Sequence, residues 1–160
     1  MAHRRPTQLD PRLYVGPRRI CLTMCTLKRR VHFTDASIVD AVRCELLRTA
    51  NDYRVEIVAY CFMPDHVHVL IEGIAADSDL LKFIRMFRQR SGRRFRKQFG
   101  RYLWQEGFFD RFVRSEEATR TVVAYIVANP LRAGLCSDVR DYPFVGSGRF
   151  TLGELFDALP

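Results

Sequence analysis

The chain lacks long apolar runs, paired cysteines, internal repeats and low-complexity tracts, and these absences exclude several large classes of protein. No apolar run approaches the roughly 20 residues of a membrane-spanning helix, and the N-terminus has no signal-peptide stretch, so we expect a cytoplasmic protein without a membrane partner. The five cysteines are odd in number and lack zinc-site spacing, which favours reduced thiols over a disulfide framework. At 160 residues and 48% hydrophobic, the chain suits one globular domain.

Acidic residues are scarce in two segments, whereas the rest of the chain has more acidic than basic residues. Residues 1–30 carry eight Lys and Arg against one acid, for +7, and residues 82–114 carry eleven against two, for +9. The rest carries seven against fifteen, for −8. Two dense basic segments predict a surface that binds a polyanion. Membrane phosphates would also satisfy this charge, but no amphipathic helix with an exposed apolar face and no lipidation signal supports that alternative.

Apolar spacing and turn residues predict an α+β fold with an antiparallel sheet. The order strand, helix, strand, strand, helix, short strand, helix suits a ferredoxin-like sheet or a relative of it, with helices packed mainly on one face. The predicted elements are strands at 20–27, 55–61 and 66–72, helices at 35–50, 78–99 and 115–129, and short strands or loops at 102–104 and 108–113.

Three details of this prediction concern boundaries and faces. Strict alternation would place Val55, Ile57, Ala59 and Cys61 on one face of their strand, and Pro130 should end the last long helix near residue 129. We expect a basic arm at 1–19, a domain at 20–147 and a tail at 148–160. The sequence at 151–154 has the pattern of a capping box, which predicts a short helix in that tail.

Two of the four histidines form a His-hydrophobic-His segment just after a turn predicted at 63–65. Because side chains alternate along a strand, His66 and His68 should share one face, and the apolar residues between and after them should point into a core, namely Val67, Val69 and Ile71. Two imidazoles on one strand face form half of a metal site. An isolated motif of this kind is nevertheless more often structural than metal-binding.

A divalent metal needs a further ligand, for which Glu72, Asn129 and Asp65 are all candidates. Tyr125 lies four residues before Asn129 on a predicted helix, so the two share a face. A metal held by two histidines and an amide oxygen could orient a phosphate for attack by that tyrosine. Such a spacing is commonplace, however, and the six tyrosines of the chain leave the choice of nucleophile open.

The helix predicted at 78–99 carries an apolar stripe and an opposite basic stripe, and no acid lies between Lys82 and Glu106. The absence of acids removes the ion pairs of an ordinary solvated helix, which favours phosphate binding over a merely solvated face. The aromatic residues that follow, at 102–104 and 108–112, are either core or base-stacking platforms, and the sequence does not decide between them.

Four motifs together resemble the IS200/IS605-type single-tyrosine transposases. The sequence at 62–70 is similar to their HUH signature, and the sequence at 125–135 to the tyrosine segment of their REP-associated branch, in which Asn follows the tyrosine at the fourth position. Residues 104–110, through Trp, Gln and a later Gly-Phe-Phe-Asp, and the Tyr-Pro pair at 142–143 also match. The resemblance extends from about residue 19 to residue 147, with the motifs in family order.

The resemblance implies a bacterial HUH nuclease fold that cuts single-stranded DNA at palindromic, REP-like hairpins. It assigns His66, His68 and Asn129 to a divalent metal, Mg²⁺ or Mn²⁺, and Tyr125 to the nucleophile. Attack would form a 5′-phosphotyrosine link and free a 3′-hydroxyl, and this exchange conserves bond energy, so strands can be rejoined. Relatives include dimers that exchange tyrosine helices, so a monomer and a homodimer are both open.

Such DNA would place the protein in the nucleoid-associated cytoplasm and requires a basic track for the DNA backbone. The residues expected to supply that track are Arg4, Arg5, Arg12, Arg18, Arg19, Lys82, Arg85, Arg93, Arg96, Lys97 and Arg101.

Two rival functions account for part of the same pattern. A non-enzymatic nucleic-acid-binding module of ferredoxin-like fold explains the basic surface but leaves the histidine pair and Tyr125 as coincidence. A metal-dependent phosphodiesterase that uses activated water would keep the histidines but would not need Tyr125. An inactive descendant retained for DNA binding is a further alternative, which the complete constellation disfavours.

Overall fold

Five antiparallel strands and four α-helices form the fold in this computed structural model, which describes residues 10–160. Residues 1–9, and with them the predicted DNA contacts Arg4 and Arg5, lie outside the described residues. The strands are β1 (Arg19–Cys25), β2 (Val55–Met63), β3 (His66–Gly73), β4 (Phe109–Val113) and β5 (Val145–Gly146). The helices are α1 (Ala36–Asp52), α2 (Leu80–Phe99), α3 (Glu116–Arg132) and α4 (Leu152–Asp157). Short 3-10 helices span Pro11–Tyr14, Leu27–Arg29 and Val139–Asp141.

The first six of these strands and helices confirm the predicted ferredoxin-like arrangement. They follow the order β1-α1-β2-β3-α2-β4, and the strands lie side by side as β4-β1-β3-β2-β5, with each neighbouring pair antiparallel. Within this unit α1 and α2 pack on one face, as expected. The chain then adds α3 on the opposite face, with α4 packed against it, and the two-residue β5, which was not among the predicted strands.

The two faces have separate cores. On the α1/α2 face, Val67, Val69 and Ile71 of β3 are fully buried, which confirms their predicted inward direction. On the α3 face, Leu70 packs with residues of α3 such as Ile126. Burial on both sides explains why the central strands read as nearly continuous apolar runs.

The predicted alternation along β2 is wrong beyond Ile57. The register passes from Ile57 opposite Ile71 to Ala59 opposite Leu70, so Val58 is an extra residue in a β-bulge. Because one added residue exchanges the two faces of a strand, Ala59 turns towards α3. Cys61 follows it to the α3 face, whereas the strand's first predicted members, including Val55, face α1 and α2.

Capping residues set the helix starts close to their predicted positions. The carboxylate of Asp35 accepts a hydrogen bond from the backbone N–H of Ser37 at the start of α1, and the hydroxyl of Ser115 accepts one from Ala118 at the start of α3. Helix α2 begins after Asp79, two residues later than expected. At α4 the predicted capping box between Thr151 and Glu154 is present.

The predicted end of α3 is also wrong, because the helix passes through Pro130 and ends at Arg132. Proline lacks the N–H that would bond to the carbonyl one turn earlier, but its fixed φ is compatible with a helix. Beyond it, the N–H of Ala133 bonds to the carbonyl of Asn129 at 3.0 Å, and Leu135 bonds to Pro130 at 2.9 Å. These bonds keep the last turn helical.

The described part of the N-terminal arm is packed rather than loose. Tyr14 is 1% exposed, and the backbone N–H of Gly16 bonds to the carbonyl of Ser78 at 2.8 Å. A side chain at Gly73 would meet the carbonyl oxygen of Gly16 at 2.2 Å, so glycine is required at that crossing. Among the described residues, no helix is long and apolar enough to cross a membrane.

Candidate active site

The two histidines of β3 share one face, as predicted, and their Nε2 atoms are 3.1 Å apart. Their rings are perpendicular, with centroids separated by 4.7 Å. Two nitrogen ligands that each lie about 2.1 Å from one metal, at angles of roughly 90° to 109°, are about 3.0–3.4 Å apart. The spacing between His66 and His68 therefore fits a pair of ligands to a single ion.

Neighbouring polar groups hold both rings in this orientation. The Nδ1 atom of His66 lies 2.7 Å from Oδ1 of Asp65, and Nδ1 of His68 lies 3.0 Å from the hydroxyl of Thr23. With Nδ1 protonated in each ring, both Nε2 lone pairs face the shared point. Thr23 was missed by the sequence analysis; it is the residue directly opposite His68 in the β1–β3 register.

Burial and nearby charge keep His68 neutral. Burial, followed by the charges of His66, Arg132 and Arg29, lowers the pKa of His68 to about 4. Burial raises the pKa of Asp65, but the hydrogen bond from His66 and the charge of Arg29 outweigh it, so this pKa lies below its usual value. At neutral pH the site thus combines an unprotonated imidazole with an ionised carboxylate that orients its neighbour.

Two of the three candidate third ligands, Glu72 and Asp65, are carboxylates held in ion pairs with arginines. Glu72 shares the histidine face but forms ion pairs with Arg19 at 3.2 Å and Arg149 at 2.9 Å. Asp65 is engaged by His66 and by Arg29. Within residues 10–160, no three His, Cys, Asp or Glu side chains cluster as a metal site.

Asn129 is 8% exposed, and its Nδ2 atom has no hydrogen-bond partner among the described residues. Its Oδ1 atom accepts a hydrogen bond from Nη2 of Arg132 at 3.2 Å, which leaves one lone pair free. The unpartnered Nδ2 is a donor, which calls for an acceptor such as water or a phosphate oxygen. The atom that a divalent cation would bind is Oδ1 with its free lone pair, so two imidazole nitrogens and one amide oxygen are the donor set that fits such an ion.

Tyr125 of α3 meets the histidine pair from the same chain. Its ring centroid lies 6.0 Å from that of His68, with the rings nearly perpendicular, and the side chain is 48% exposed. Other tyrosines are engaged elsewhere: the hydroxyl of Tyr142 donates to the carbonyl of Phe62 at 2.6 Å, and Tyr14 bonds to Asp110. Tyr125 is thus a tyrosine whose ring contacts the histidine pair.

Arg132 joins the tyrosine to the amide and was not singled out from the sequence. Its guanidinium carbon lies 3.8 Å from the centroid of the Tyr125 ring, while the same group bonds to Asn129. The signal was present, since residues 125, 129 and 132 share a helix face at spacings of four and three. Ending the helix at Pro130 hid it, because Arg132 would then have lain outside α3.

Arg29 is a second basic group beside the site. Its Nε atom lies 2.9 Å from Oδ2 of Asp65, and its Nη1 lies 2.7 Å from the sulfur of Cys25. Arg29 and Lys28 both have left-handed backbone conformations, at φ 54° and 56°. Non-glycine residues in that region are strained, and such strain is frequent at functional sites.

The predicted DNA contacts differ in how free they are. Arg19 bonds to Glu116 at 2.5 Å and Thr119 at 3.0 Å as well as to Glu72, so it anchors the start of α3, and we leave it out of the proposed DNA surface. Arg12 pairs with Asp10 at the exposed surface. Six others are exposed and have no ion pair within the described chain: Lys82, Arg85, Arg93, Arg96, Lys97 and Arg101. Arg18 has none either, although it bonds to the carbonyl of residue 15.

Comparison with known proteins gives one family and several relatives. A family model described as "Transposase IS200 like" matches residues 19–129. A Haemophilus influenzae protein provisionally named as a REP-associated tyrosine transposase is 25% identical over 130 residues, which cover 74% of this chain and 73% of that protein. The Escherichia coli K12 REP-associated tyrosine transposase is 29% identical over 108 residues, which cover 64% of this chain and 61% of that protein.

A solved structure of a REP-associated tyrosine transposase bound to a REP hairpin matches with a TM-score of 0.73 and 24% identity. The match covers 87% of this chain and 82% of that one. At this identity the likeness bears on the fold.

Proposed function

The chain belongs to the IS200-like transposase family, and on that premise we propose that it is a metal-dependent single-stranded DNA endonuclease and strand transferase. Its substrate would be palindromic, REP-like hairpin DNA, and the reaction would pass through a 5′-phosphotyrosine intermediate. The observation that carries the proposal is the contact of Tyr125 with His68 of its own chain, beside two convergent Nε2 atoms.

His66, His68 and Asn129 would hold the divalent cation, Mg²⁺ or Mn²⁺. Such an ion polarises a phosphodiester and neutralises charge that develops on its oxygens. The role of this chain's own residues is to present the ligands in a fixed geometry, with Asp65 and Thr23 orienting the two imidazoles.

The hydroxyl oxygen of Tyr125 would attack the phosphorus, forming the O–P bond while the bond from phosphorus to the 3′ oxygen breaks. The phenol gives up its proton and the departing 3′ oxygen gains one, so the products are a 5′-phosphotyrosine and a free 3′-hydroxyl. One phosphodiester replaces another, and the reverse attack by a 3′-hydroxyl rejoins a strand without a nucleotide cofactor. Arg132 holds the tyrosine ring and the amide together and places positive charge where the phenol oxygen becomes negative.

Binding of the DNA backbone is assigned to the exposed face of α2 and its continuation at Arg101. Because the cations there lack acidic partners, they are available to phosphates, and binding should weaken steeply as salt increases. The arginines at 4 and 5 stay predictions. DNA of this kind would place the protein with the chromosome in the cytoplasm.

A complete set of tyrosine, histidines and amide within one chain supports action in cis, so a monomer would suffice. The substrate class follows the names of two relatives, which are REP-associated tyrosine transposases.

The test is incubation with hairpin oligonucleotides that carry single-stranded flanks, with Mg²⁺ or Mn²⁺ and with a chelator. We expect cleavage in the presence of metal and, by mass spectrometry, a DNA-linked tryptic peptide that contains Tyr125. Tyr125→Phe should abolish both. Cleavage that persists in Tyr125→Phe would favour the phosphodiesterase that uses water, and DNA binding without any metal-dependent adduct would favour the non-enzymatic module.

A further inference from the structure

The edge strand β4 carries an exposed aromatic side chain, Phe109, on the same face as the catalytic histidines. Phe109 belongs to the Gly-Phe-Phe-Asp stretch that resembles the family, but the proposed chemistry gives it no role. We propose that this end of β4 binds an unpaired nucleobase of the scissile strand, with Phe109 stacking on the base and Arg111 contacting a neighbouring phosphate. The inference rests on the proposed function and adds a substrate subsite to it.

Sheet register places Phe109 beside the histidines. Thr23 of β1 lies between two partners, His68 of β3 on one side and Phe109 of β4 on the other. Directly opposite residues of antiparallel strands point to the same face, and neighbouring strands are roughly 4.8 Å apart. The ring of Phe109 therefore lies two strand widths, about 10 Å, from the β3 position that carries His68.

Coverage by α3 decreases along β4 towards this end. On the histidine face, Val113 is 7% exposed beneath α3, whereas Phe109 is 50% exposed. An open cleft of about 530 Å³ separates β4 from α3 and is lined by side chains that include Arg111 and Thr121. Thr121 is one helical turn before Tyr125, so the cleft leads along α3 towards the nucleophile.

The charges along the cleft suit a phosphate backbone. Arg111 faces the same side as Phe109, since its charge acts on the thiol of Cys21, its partner in the β1–β4 register. It is exposed and has no ion pair within residues 10–160. Glu117 lines the cleft as well, on the α3 wall near the start of that helix. Arg111, which lines the cleft, and Phe109, which does not, thus lie two residues apart on one strand face.

Trp104 and Phe108 of the same segment do not offer such a surface, and the exposed ring of Tyr102 is covered on one face by the guanidinium of Arg96, 4.6 Å from its centroid. Trp104 donates its Nε1 hydrogen to the hydroxyl of Ser91 at 2.9 Å and packs against Phe87, so it belongs to the core on the α1/α2 face. Phe108 is partly buried beneath the guanidinium of Arg88. Of the choice that the sequence left open between core and base-stacking platform, the structure assigns Trp104 and Phe108 to the core.

The occupant is an unpaired base rather than another protein strand because the exposed edge is short and carries an unneutralised arginine, a feature that discourages strand pairing. Stacking of a base on an aromatic ring is tolerant of sequence and contributes about five- to 100-fold in affinity per base. A ring half exposed at an edge should lie near the lower end of that range.

The test combines a substitution with an abasic scan of the DNA. A hairpin with single-stranded flanks is made with one abasic site at each flank position in turn, and its Kd and cleavage rate are measured. In the wild type, one position near the cleavage point should lose about fivefold to 20-fold in affinity when its base is removed. In Phe109→Leu, which keeps apolar volume but removes the aromatic face, intact DNA should bind that much more weakly and the abasic site should cost nothing further.

Phe150→Leu is the matched control. Phe150 is also an exposed phenylalanine beside an arginine, but Arg149 is neutralised by Glu56 and Glu72 at the far end of the sheet. The Phe150→Leu variant should bind each of these DNAs as tightly as the wild type does. Phe109→Trp should retain the abasic-sensitive position, which keeps the test decisive if the leucine variant folds poorly.

Two failures are distinguishable. If the wild type neither binds nor cleaves flanked hairpins, the proposed function is overturned and the subsite with it. If the wild type cleaves them but Phe109→Leu shows unchanged affinity and the same abasic profile, the subsite alone is overturned. Dimerisation through β4 that DNA does not displace would equally contradict it.

Discussion

The two faces of the sheet are built from the same strands, yet one forms only a hydrophobic core and the other also carries the candidate active site. On the α1/α2 face, Phe62, Val67 and Val69 are all fully buried, and the rings around them pack edge to face, as between Phe33 and Phe62 at 5.2 Å. On the α3 face, the alternate residues of β3 include His66 and His68, and α3 leaves Tyr125 half exposed beside His68. A single strand therefore supplies both the core that fixes its position and the ligands that depend on it.

Removing a large side chain from the core on the α1/α2 face should have the largest effect, and the effect should be on stability. Phe62→Ala is expected to lower the free energy of unfolding by about 3–5 kcal/mol, because it leaves a cavity in a tightly packed core. Denaturant titration measures the loss, and Phe62→Leu should cost clearly less. If the folded fraction still forms the covalent adduct at low temperature, the two faces are separable; an adduct lost in fully folded protein would contradict that separation.

On the α3 face, burial of a neutral histidine should make the free energy of unfolding depend on pH. The pKa of His68 is lowered to about 4 in the folded protein, against an ordinary value of about 6.5, so the unfolded chain binds the extra proton between these limits. The contribution of neutral His68 to the free energy of unfolding is complete above about pH 6.5. It is lost as the pH falls towards 4, and the loss is up to about 3 kcal/mol. Chelator-treated protein should show this slope.

The control for that slope is His68→Gln, whose stability should vary less over the same pH range. An equal slope in the variant would place the titrating group elsewhere and would contradict the assignment of the buried imidazole.

Substitution of Arg132 should affect chemistry with little change in folding. Arg132→Gln removes the guanidinium that lies over Tyr125 and bonds to Asn129, so we expect cleavage to slow by about 10- to 100-fold. Arg132→Lys should rescue little, because an ammonium group cannot stack flat on the ring and bond to the amide together. Rate measurement with saturating DNA, alongside thermal melting, separates this from a loss of binding; full activity in the glutamine variant would contradict the role.

The sequence predicted which residues of β3 lie on each face of the sheet, but not the bulge in β2 or the end of α3. Alternation alone predicted that His66 and His68 lie on the face of β3 opposite to its valines, and the helices predicted at 35–50 and 115–129 begin within one residue of those positions. What failed depended on distant contacts: the bulge at Val58 follows from packing on both faces of β2, which no local pattern records. The continuation of α3 past proline, and with it Arg132, depended on tertiary packing that overrode a local preference.

The smallest expected effect concerns the outer surface of α2, whose basic residues lie outside the candidate active site. Arg93→Gln should weaken DNA binding modestly and reduce the slope of log Kd against log salt by about one, because one phosphate contact is lost. The neighbouring Arg94 is the control, since it pairs with Glu45 at 3.7 Å. Arg94→Gln should change the slope less, and equal slopes for both variants would place the DNA elsewhere.

The central claim is that Tyr125, and not water, attacks the DNA phosphate beside His66 and His68. The most direct test is mass spectrometry of the protein after incubation with a flanked hairpin and Mg²⁺ or Mn²⁺. The account predicts a single DNA-linked tryptic peptide that contains Tyr125, present with metal, absent with a chelator and absent in Tyr125→Phe. A reproducible adduct on another residue, or metal-dependent cleavage that is unchanged in Tyr125→Phe, would contradict it.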